Sequence, residues 1–109
     1  MSIQRYGMAI RLQEDKRQFY IDNHANPWPE VIEELKKNNV QNYSIFLKED
    51  FIFGYLEYTG NDFDGDMEKM EEIPIIKKWT KLMIDCFFPF PNNEDNKSWV
   101  MMDQIFFME

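Results

Sequence analysis

Residues 40–59, VQNYSIFLKEDFIFGYLEYT, decide the fold of this chain of 109 residues. They hold two runs rich in β-branched and aromatic residues, 40–47 and 51–59, which is the composition of strands. The intervening residues 48–50 are few enough to form a hairpin turn. The stretch therefore predicts two antiparallel strands that follow one another directly in the middle of the chain.

The segment before this hairpin predicts one strand and a bent pair of helices. Over residues 6–12, large apolar side chains alternate with smaller or polar ones, which is the period of a strand. Residues 13–23 and 29–38 have helical patterns. The chain is expected to bend near Pro27 and Pro29, because proline is tolerated only in the first turn of a helix.

The segment after the hairpin predicts one helix and one strand. Apolar residues over 74–88 recur at the spacing of one helix face, the strongest such period in the chain. Pro89 and Pro91 predict the end of this helix, and residues 100–108 read as a last strand. The order strand, helix, strand, strand, helix, strand predicts an α+β fold, a ferredoxin-like βαββαβ sandwich, as a single domain over residues 1–109.

Bulky side chains occupy both faces of the predicted sheet. In the hairpin, Phe51, Phe53 and Tyr55 alternate with Ile52 and Leu56, so each face carries large apolar groups. Helices on one face would leave the other face in water. We therefore expect a homodimer in which two sheets face each other as a dimeric α/β-barrel, with a pocket in each half.

The composition narrows the partners and the compartment. A net charge of -8, with basic residues scattered among acids, argues against nucleic acid as a partner. No segment approaches the length of a membrane span, and the N-terminal residues lack the pattern of a signal peptide. Cys86, the only cysteine, excludes an intrachain disulfide and falls on an apolar helical stripe. We expect a cytoplasmic protein without a membrane partner.

One short stretch combines residues suited to proton transfer. Tyr20, His24 and Trp28 lie four residues apart, and on a helix Tyr20 and His24 would share one face. His24 is the only histidine, and imidazole titrates near neutral pH, so this residue is the candidate for proton transfer. Trp28 lies between two prolines and is expected to anchor the bend rather than to touch a ligand.

An acidic stretch at residues 61–66 raises calcium binding as an alternative function. With Gly65 at the sixth position of a calcium-binding loop, Asp62, Asp64 and Glu71 fall on ligand positions. The first ligand position is Gly60, which has no carboxylate. We therefore predict no metal site and interpret the stretch as a solvated turn that caps the following helix.

Several separated motifs together resemble the L-rhamnose mutarotase family over nearly the whole chain. They are Tyr20-x-x-x-His24-x-x-x-Trp28-Pro29-Glu30, the pair Asn42-Tyr43, Trp79 followed by Lys81-Leu82-Met83, and the closing Ile105-Phe106-Phe107. The resemblance implies a homodimer without a cofactor that interconverts the α and β anomers of a 6-deoxy sugar.

The same resemblance implies roles for individual residues. Tyr20 and Tyr43 would bind the sugar, His24 would be the catalytic acid, and Trp79 would form a wall of the pocket. Thr80 also falls on a substrate-binding position, where the family pattern has a second tryptophan. The implied substrate is L-rhamnose or a related 6-deoxy monosaccharide such as L-fucose.

Mutarotation requires only one proton donor and one proton acceptor, because the anomeric hydroxyl loses a proton while the ring oxygen gains one. His24 would supply one of these groups, and the other is a tyrosine, a water or Glu57. Two further functions remain compatible with the same dimeric fold. One is a non-catalytic sugar-binding or regulatory module, and the other is a cofactor-free oxygenase of the dimeric α/β-barrel kind.

Overall fold

The computed structural model describes residues 2–109, which form one antiparallel sheet and four helices. The strands are β1 (Gln4–Leu12), β2 (Val40–Lys48), β3 (Phe51–Tyr58), β4 (Phe87–Phe88) and β5 (Val100–Met102). The helices are α1 (Arg17–Ala25), α2 (Pro29–Lys37), α3 (Phe63–Glu71) and α4 (Pro74–Ile84), and a short 3-10 turn, Glu14–Lys16, precedes α1. Within these residues, no helix is both long enough and apolar enough to cross a membrane.

The sheet has the order β2-β3-β1, and β4 and β5 share the remaining edge of β1. Strand β1 is antiparallel to β3, with Met8 opposite Gly54, and it is also antiparallel to β4 and β5. Strand β3 thus lies between β1 and β2, which is the split arrangement of a ferredoxin-like fold. The predicted α+β class and ferredoxin-like order are confirmed.

Each crossover between strands contains two helices. Helices α2 and α4 begin with Pro29 and Pro74, whose missing N–H group and fixed φ suit the first turn of a helix. Helix α3 begins within the acidic stretch, so residues 63–66 are helical rather than part of a solvated turn, while the expected capping of the following helix is present. Asp62 caps this helix, and its side chain accepts a hydrogen bond of 3.1 Å from the Gly65 N–H. Since Phe63–Glu71 is helical, the twelve-position calcium loop considered above does not form.

The sequence predicts a single helix over residues 74–88, but the structure divides this segment into a helix and a strand. Helix α4 ends at Ile84, and Phe87–Phe88 forms β4. Pro89 disfavours helical backbone at the residue before it, and the Gln13 N–H donates a 2.8 Å hydrogen bond to the Cys86 carbonyl. These two effects turn the chain out of the helix and onto the edge of β1.

The last strand is also shorter than predicted. Pairing with β1 covers only Val100–Met102, and residues 103–109 leave the sheet without regular structure. Within this end segment, the Phe107 ring lies 4.0 Å from the guanidinium carbon of Arg5, and Ile105 is 94% exposed. Phe107 thus makes a cation–π contact with Arg5 instead of pairing with β1 as a strand residue.

The helices pack on one face of the sheet, which we call the covered face and which bears Ile10, Ile52 and Tyr58. These three side chains are almost completely buried. The register places Phe46 and Phe53 on the other face, which we call the open face. The chain's own helices therefore close only one of the two faces.

Candidate active site

Helix α1 brings Tyr20 and His24 together. The two residues lie one turn apart, and their rings stack with centroids separated by 4.1 Å. The His24 Nδ1 lies 2.9 Å from the Tyr20 carbonyl oxygen. A carbonyl only accepts hydrogen bonds, so Nδ1 carries the proton of the neutral imidazole and Nε2 keeps a free lone pair. His24 is thus oriented with Nε2 as its reactive atom.

Helix α4 places Trp79 against His24. The two rings meet edge to face with 5.3 Å between centroids. Trp28 packs on Trp79 in the same manner, with 5.1 Å between centroids, and it is the residue at which the chain enters α2. Trp28 therefore supports the position of Trp79 from the bend between α1 and α2.

His24 and Trp79 border a cavity of about 310 Å³ on the covered face, which is a volume suited to a small molecule. Its polar groups are His24 and Tyr43, the latter from β2. The rest of the lining is apolar or aromatic and consists of Pro27, Val31, Ile32, Leu35, Ile45 and Trp79. One imidazole and one phenol thus face a largely apolar space.

Burial sets the resting state of His24. It lowers the pKa of this imidazole below the usual 6.5, because desolvation disfavours the charged form. The hydrogen bond to the Tyr20 carbonyl opposes this shift but is the smaller effect. At neutral pH His24 is therefore uncharged and able to accept a proton at Nε2.

Burial also fixes the protonation of the two tyrosines. It raises the pKa of Tyr43 to about 12, and it raises the pKa of Tyr20 well above the usual value of 10. Both side chains remain phenols at neutral pH and can donate hydrogen bonds. Tyr20 is 4% exposed and also packs on Phe87, so it lies behind His24 and holds this ring in place.

Known proteins match this chain over nearly its whole length. The sequence model of the family described as L-rhamnose mutarotase matches residues 5–108. The chain belongs to the L-rhamnose mutarotase family. Among its relatives, the L-rhamnose mutarotase of Formosa agariphila is 29% identical over 98% of this chain and 100% of that protein. The L-rhamnose mutarotase of Oceanobacillus iheyensis is 32% identical over the same two shares.

Solved structures agree with this membership of the L-rhamnose mutarotase family. The crystal structure of L-rhamnose mutarotase FA22100 from Formosa agariphila has a TM-score of 0.76 at 28% identity and covers 97% of this chain and 99% of its own. Tetracenomycin F2 cyclase from Streptomyces glaucescens has a TM-score of 0.69 at 12% identity over the same shares, which shows the fold alone. The predicted family and its class of enzyme, a mutarotase acting on a carbohydrate, are confirmed. The relatives named here offer no support for a non-catalytic module.

The structure gathers most of the residues that the family resemblance assigns to the site. His24, Tyr43 and Trp79 line one cavity, and Tyr20 stacks on His24. Thr80 does not join them. It lies in a separate groove beside Lys77 and Lys81, because one residue step along a helix turns the side chain by about 100°. Thr80 does not line the cavity that contains His24, and its contact with the sugar stays a prediction.

Glu57, one of the candidates for the second proton-transfer group, lies on the open face. It stands opposite Arg5 of β1 and Gln41 of β2, and the sheet separates it from His24. Glu57 is therefore not placed to transfer a proton to a sugar beside His24, and a tyrosine or a water remains as the candidate for the second proton-transfer group. The cavity also differs in position from the expected pocket between two facing sheets, since one chain forms it on the covered face.

Sequence reasoning missed the apolar wall that α2 contributes. Val31, Ile32 and Leu35 follow the spacing of one helix face, so the pattern was visible. The same spacing is found in helices that pack entirely on a core, and it does not reveal a cavity. Within residues 2–109, no group of three or more His, Cys, Asp or Glu side chains is arranged to hold a metal ion.

Proposed function

We propose that this chain catalyses the interconversion of the α and β anomers of L-rhamnose. The observation that carries this proposal is that, in a chain of this family, the neutral imidazole of His24 and the phenol of Tyr43 line the same apolar cavity. Opening a pyranose ring needs one group that accepts a proton and one that donates a proton. These two side chains supply both groups.

The reaction follows from their protonation states. His24 Nε2 accepts the proton of the anomeric hydroxyl while the bond between C1 and the ring oxygen breaks, which converts C1 to an aldehyde. The Tyr43 hydroxyl donates its proton to the departing ring oxygen. Rotation about the C1–C2 bond then exposes the other face of the aldehyde to the same oxygen.

Ring closure reverses these proton transfers. The oxygen of the open chain adds to C1 and returns its proton to Tyr43, and the imidazolium of His24 gives its proton to the carbonyl oxygen. His24 is therefore a base during opening and an acid during closing. The cycle ends with both side chains in their starting states.

The apolar lining supports a 6-deoxy sugar as the substrate. C6 of L-rhamnose is a methyl group, and Pro27, Val31 and Leu35 offer the apolar contacts that such a group requires. A hydroxyl at C6 would lose its water without gaining a partner in this lining, which costs free energy.

The open face supports a homodimer. Phe46 is 64% exposed and Phe53 is 37% exposed, and a second copy of the chain would remove both from water. Cys86 is a free, buried thiol, which fits a reducing cytoplasm. We expect twice the chain mass in light scattering, and cell fractionation would check the compartment.

Nuclear magnetic resonance saturation transfer between the two anomeric protons tests the proposed activity. Adding the protein should speed exchange between the α and β forms of L-rhamnose. L-Mannose, which differs by a hydroxyl at C6, should exchange at least about tenfold less efficiently, since one mismatched polar group in an apolar pocket has roughly that effect. L-Fucose tests whether the site distinguishes 6-deoxy sugars. Exchange of L-rhamnose at the rate of buffer alone would refute the proposal.

A further inference from the structure

Strand β2 contains an irregularity at the point where it enters the cavity. Gln41 pairs with Glu57 and Ser44 pairs with Tyr55, so Asn42 and Tyr43 together oppose the single residue Leu56. This is a β-bulge. Asn42 has a φ of 47°, a left-handed conformation that asparagine tolerates better than most residues.

The bulge decides which way Tyr43 points. Val40 is anchored on the covered face at 4% exposure, and successive side chains of a regular strand point to opposite faces. Counting from Val40 without the bulge, Tyr43 would fall on the open face. The extra residue lets both Val40 and Tyr43 lie on the covered face, where Tyr43 lines the cavity.

Glu57 holds this bulge from the open face. Its Oε1 accepts hydrogen bonds from Gln41 Nε2 at 3.0 Å and from Asn42 Nδ2 at 2.9 Å. Its Oε2 accepts a third hydrogen bond, from the Tyr55 hydroxyl, at 2.9 Å. One carboxylate therefore links a residue of the bulge, the residue before it and the neighbouring strand.

The charge of Glu57 suits this role. The hydrogen bonds from Asn42, Gln41 and Tyr55 lower its pKa, and the positive charge of Arg5 on β1 acts in the same direction. The carboxylate is therefore ionised at neutral pH, and hydrogen bonds to an ionised acceptor are stronger than those between neutral groups.

We infer that Glu57 is a positioning residue, which fixes the bulge at Asn42 and thereby directs the Tyr43 hydroxyl into the cavity from the opposite side of the sheet. This inference rests on the proposed function for the part that Tyr43 plays. It assigns a role to a carboxylate that lies on the wrong face to contact the sugar.

Glu57→Leu tests the inference, because leucine has similar size and no acceptor. We expect kcat/KM for L-rhamnose exchange to fall about tenfold, the effect of losing one well-placed interaction of moderate strength. Glu57→Gln keeps one carbonyl oxygen for Asn42 and Gln41 and should retain most of the activity. Glu68→Leu, which replaces an exposed glutamate of α3, is the matched control and should leave the rate unchanged.

A double-mutant cycle with Tyr43→Phe separates positioning from general damage. If Glu57 acts through the Tyr43 hydroxyl, adding Glu57→Leu to Tyr43→Phe should lower the rate by less than twofold, since interacting residues are not additive. Independent multiplication of the two effects would overturn the inference. Light scattering of each variant shows whether the assembly is unchanged, because Glu57 lies on the open face.

A readout without activity keeps the inference separate from the proposed function. In protein with ¹³C-labelled tyrosine, the Tyr43 resonance can be assigned from its loss in Tyr43→Phe. We expect Glu57→Leu to shift or broaden this resonance and Glu68→Leu to leave it in place. An unmoved Tyr43 resonance in Glu57→Leu would overturn the inference even if the wild-type protein is a mutarotase, and a moved one supports it even if L-rhamnose is not the substrate.

Discussion

Alternate residues of strand β3 show how differently the two faces of one sheet are treated. Ile52 and Leu56 lie under the helices and are 1% and 4% exposed, whereas Phe53 between them is 37% exposed. All three are apolar, so hydrophobicity alone does not separate them. The difference is that helices of the same chain cover one side only.

This contrast assigns two tasks to opposite sides of the sheet. On the covered face, residues of one chain line the cavity, among them His24, Tyr43 and Trp79. The open face carries the large apolar side chains that we propose a second copy covers. Substitutions of the exposed aromatic residues of the open face should therefore disturb assembly without disturbing chemistry, whereas Glu57 is the residue of that face that we infer acts across the sheet.

His24→Asn should have the largest effect on the covered face. Asparagine keeps a polar contact but exchanges no proton near neutral pH, so the rate of L-rhamnose exchange should fall by roughly a hundred- to ten-thousand-fold. Circular dichroism and light scattering should show an unchanged fold and mass. Gln18→Ala on the same helix is the control and should behave as wild type. Wild-type exchange by folded His24→Asn would remove His24 from the mechanism.

Charges on the open face should act on assembly instead. Replacing both Phe46 and Phe53 by lysine should weaken the proposed dimer at least about a hundredfold, because central aromatic residues carry much of an interface's free energy. Ile84→Lys, which places one lysine at an exposed apolar residue of α4 away from the open face, is the control and should leave the mass unchanged. If the lysine variant at Phe46 and Phe53 keeps the mass of the wild type in analytical ultracentrifugation, the open face is not the interface.

Trp79→Leu should affect binding more than chemistry. The substitution removes the ring that meets His24 edge to face and shortens one cavity wall, so KM should rise about tenfold, the effect of roughly 1.4 kcal/mol. The turnover number kcat should change less. Lys78→Ala, one residue earlier on α4, should leave both constants unchanged. A loss confined to kcat would show that Trp79 serves the proton transfer rather than the sugar.

Acidification should have the smallest effect, and its sign follows from the lowered pKa of His24. The base that opens the ring is neutral His24, so kcat/KM, corrected for the reaction in buffer, should stay level through neutral pH and fall as the pH passes through the folded pKa of His24, which lies below the usual 6.5. Stability should follow the same direction. A lowered folded pKa means that the contribution of neutral His24 is complete above the unfolded pKa and is lost as the pH falls through the folded pKa. A rate that rises as His24 becomes protonated would show that the imidazolium starts the reaction.

Local patterns predicted much of the fold because they report local preferences. Alternation in β1 and the prolines near Trp28 indicated a strand and a bend, and both are present. Helix α3 was missed although Asp62, a good N-cap, precedes Phe63, Met67 and Met70 at helical spacing. The glycine and clustered acids of residues 61–66 favoured a turn, and burial of that apolar stripe outweighed them.

The site was predictable where it depends on spacing and not where it depends on register. Tyr20 and His24 are one helical turn apart in any helix, so their contact could be foreseen. The sequence could not show that Glu57 and Tyr43 lie on opposite faces of the sheet, since a bulge breaks the two-residue period between Gln41 and Ser44. The place of Thr80 depends on how α4 is rotated against the sheet, which the motif does not state.

Saturation transfer between the anomeric protons of L-rhamnose, measured at one protein concentration on two variants, tests the division between the faces most directly. We predict that His24→Asn is dimeric and exchanges the anomers at least about a hundredfold more slowly than the wild type, while the lysine variant at Phe46 and Phe53 is a folded monomer that still exchanges the anomers through His24. A folded monomer without activity, together with a His24→Asn dimer that exchanges at the wild-type rate, would contradict the account.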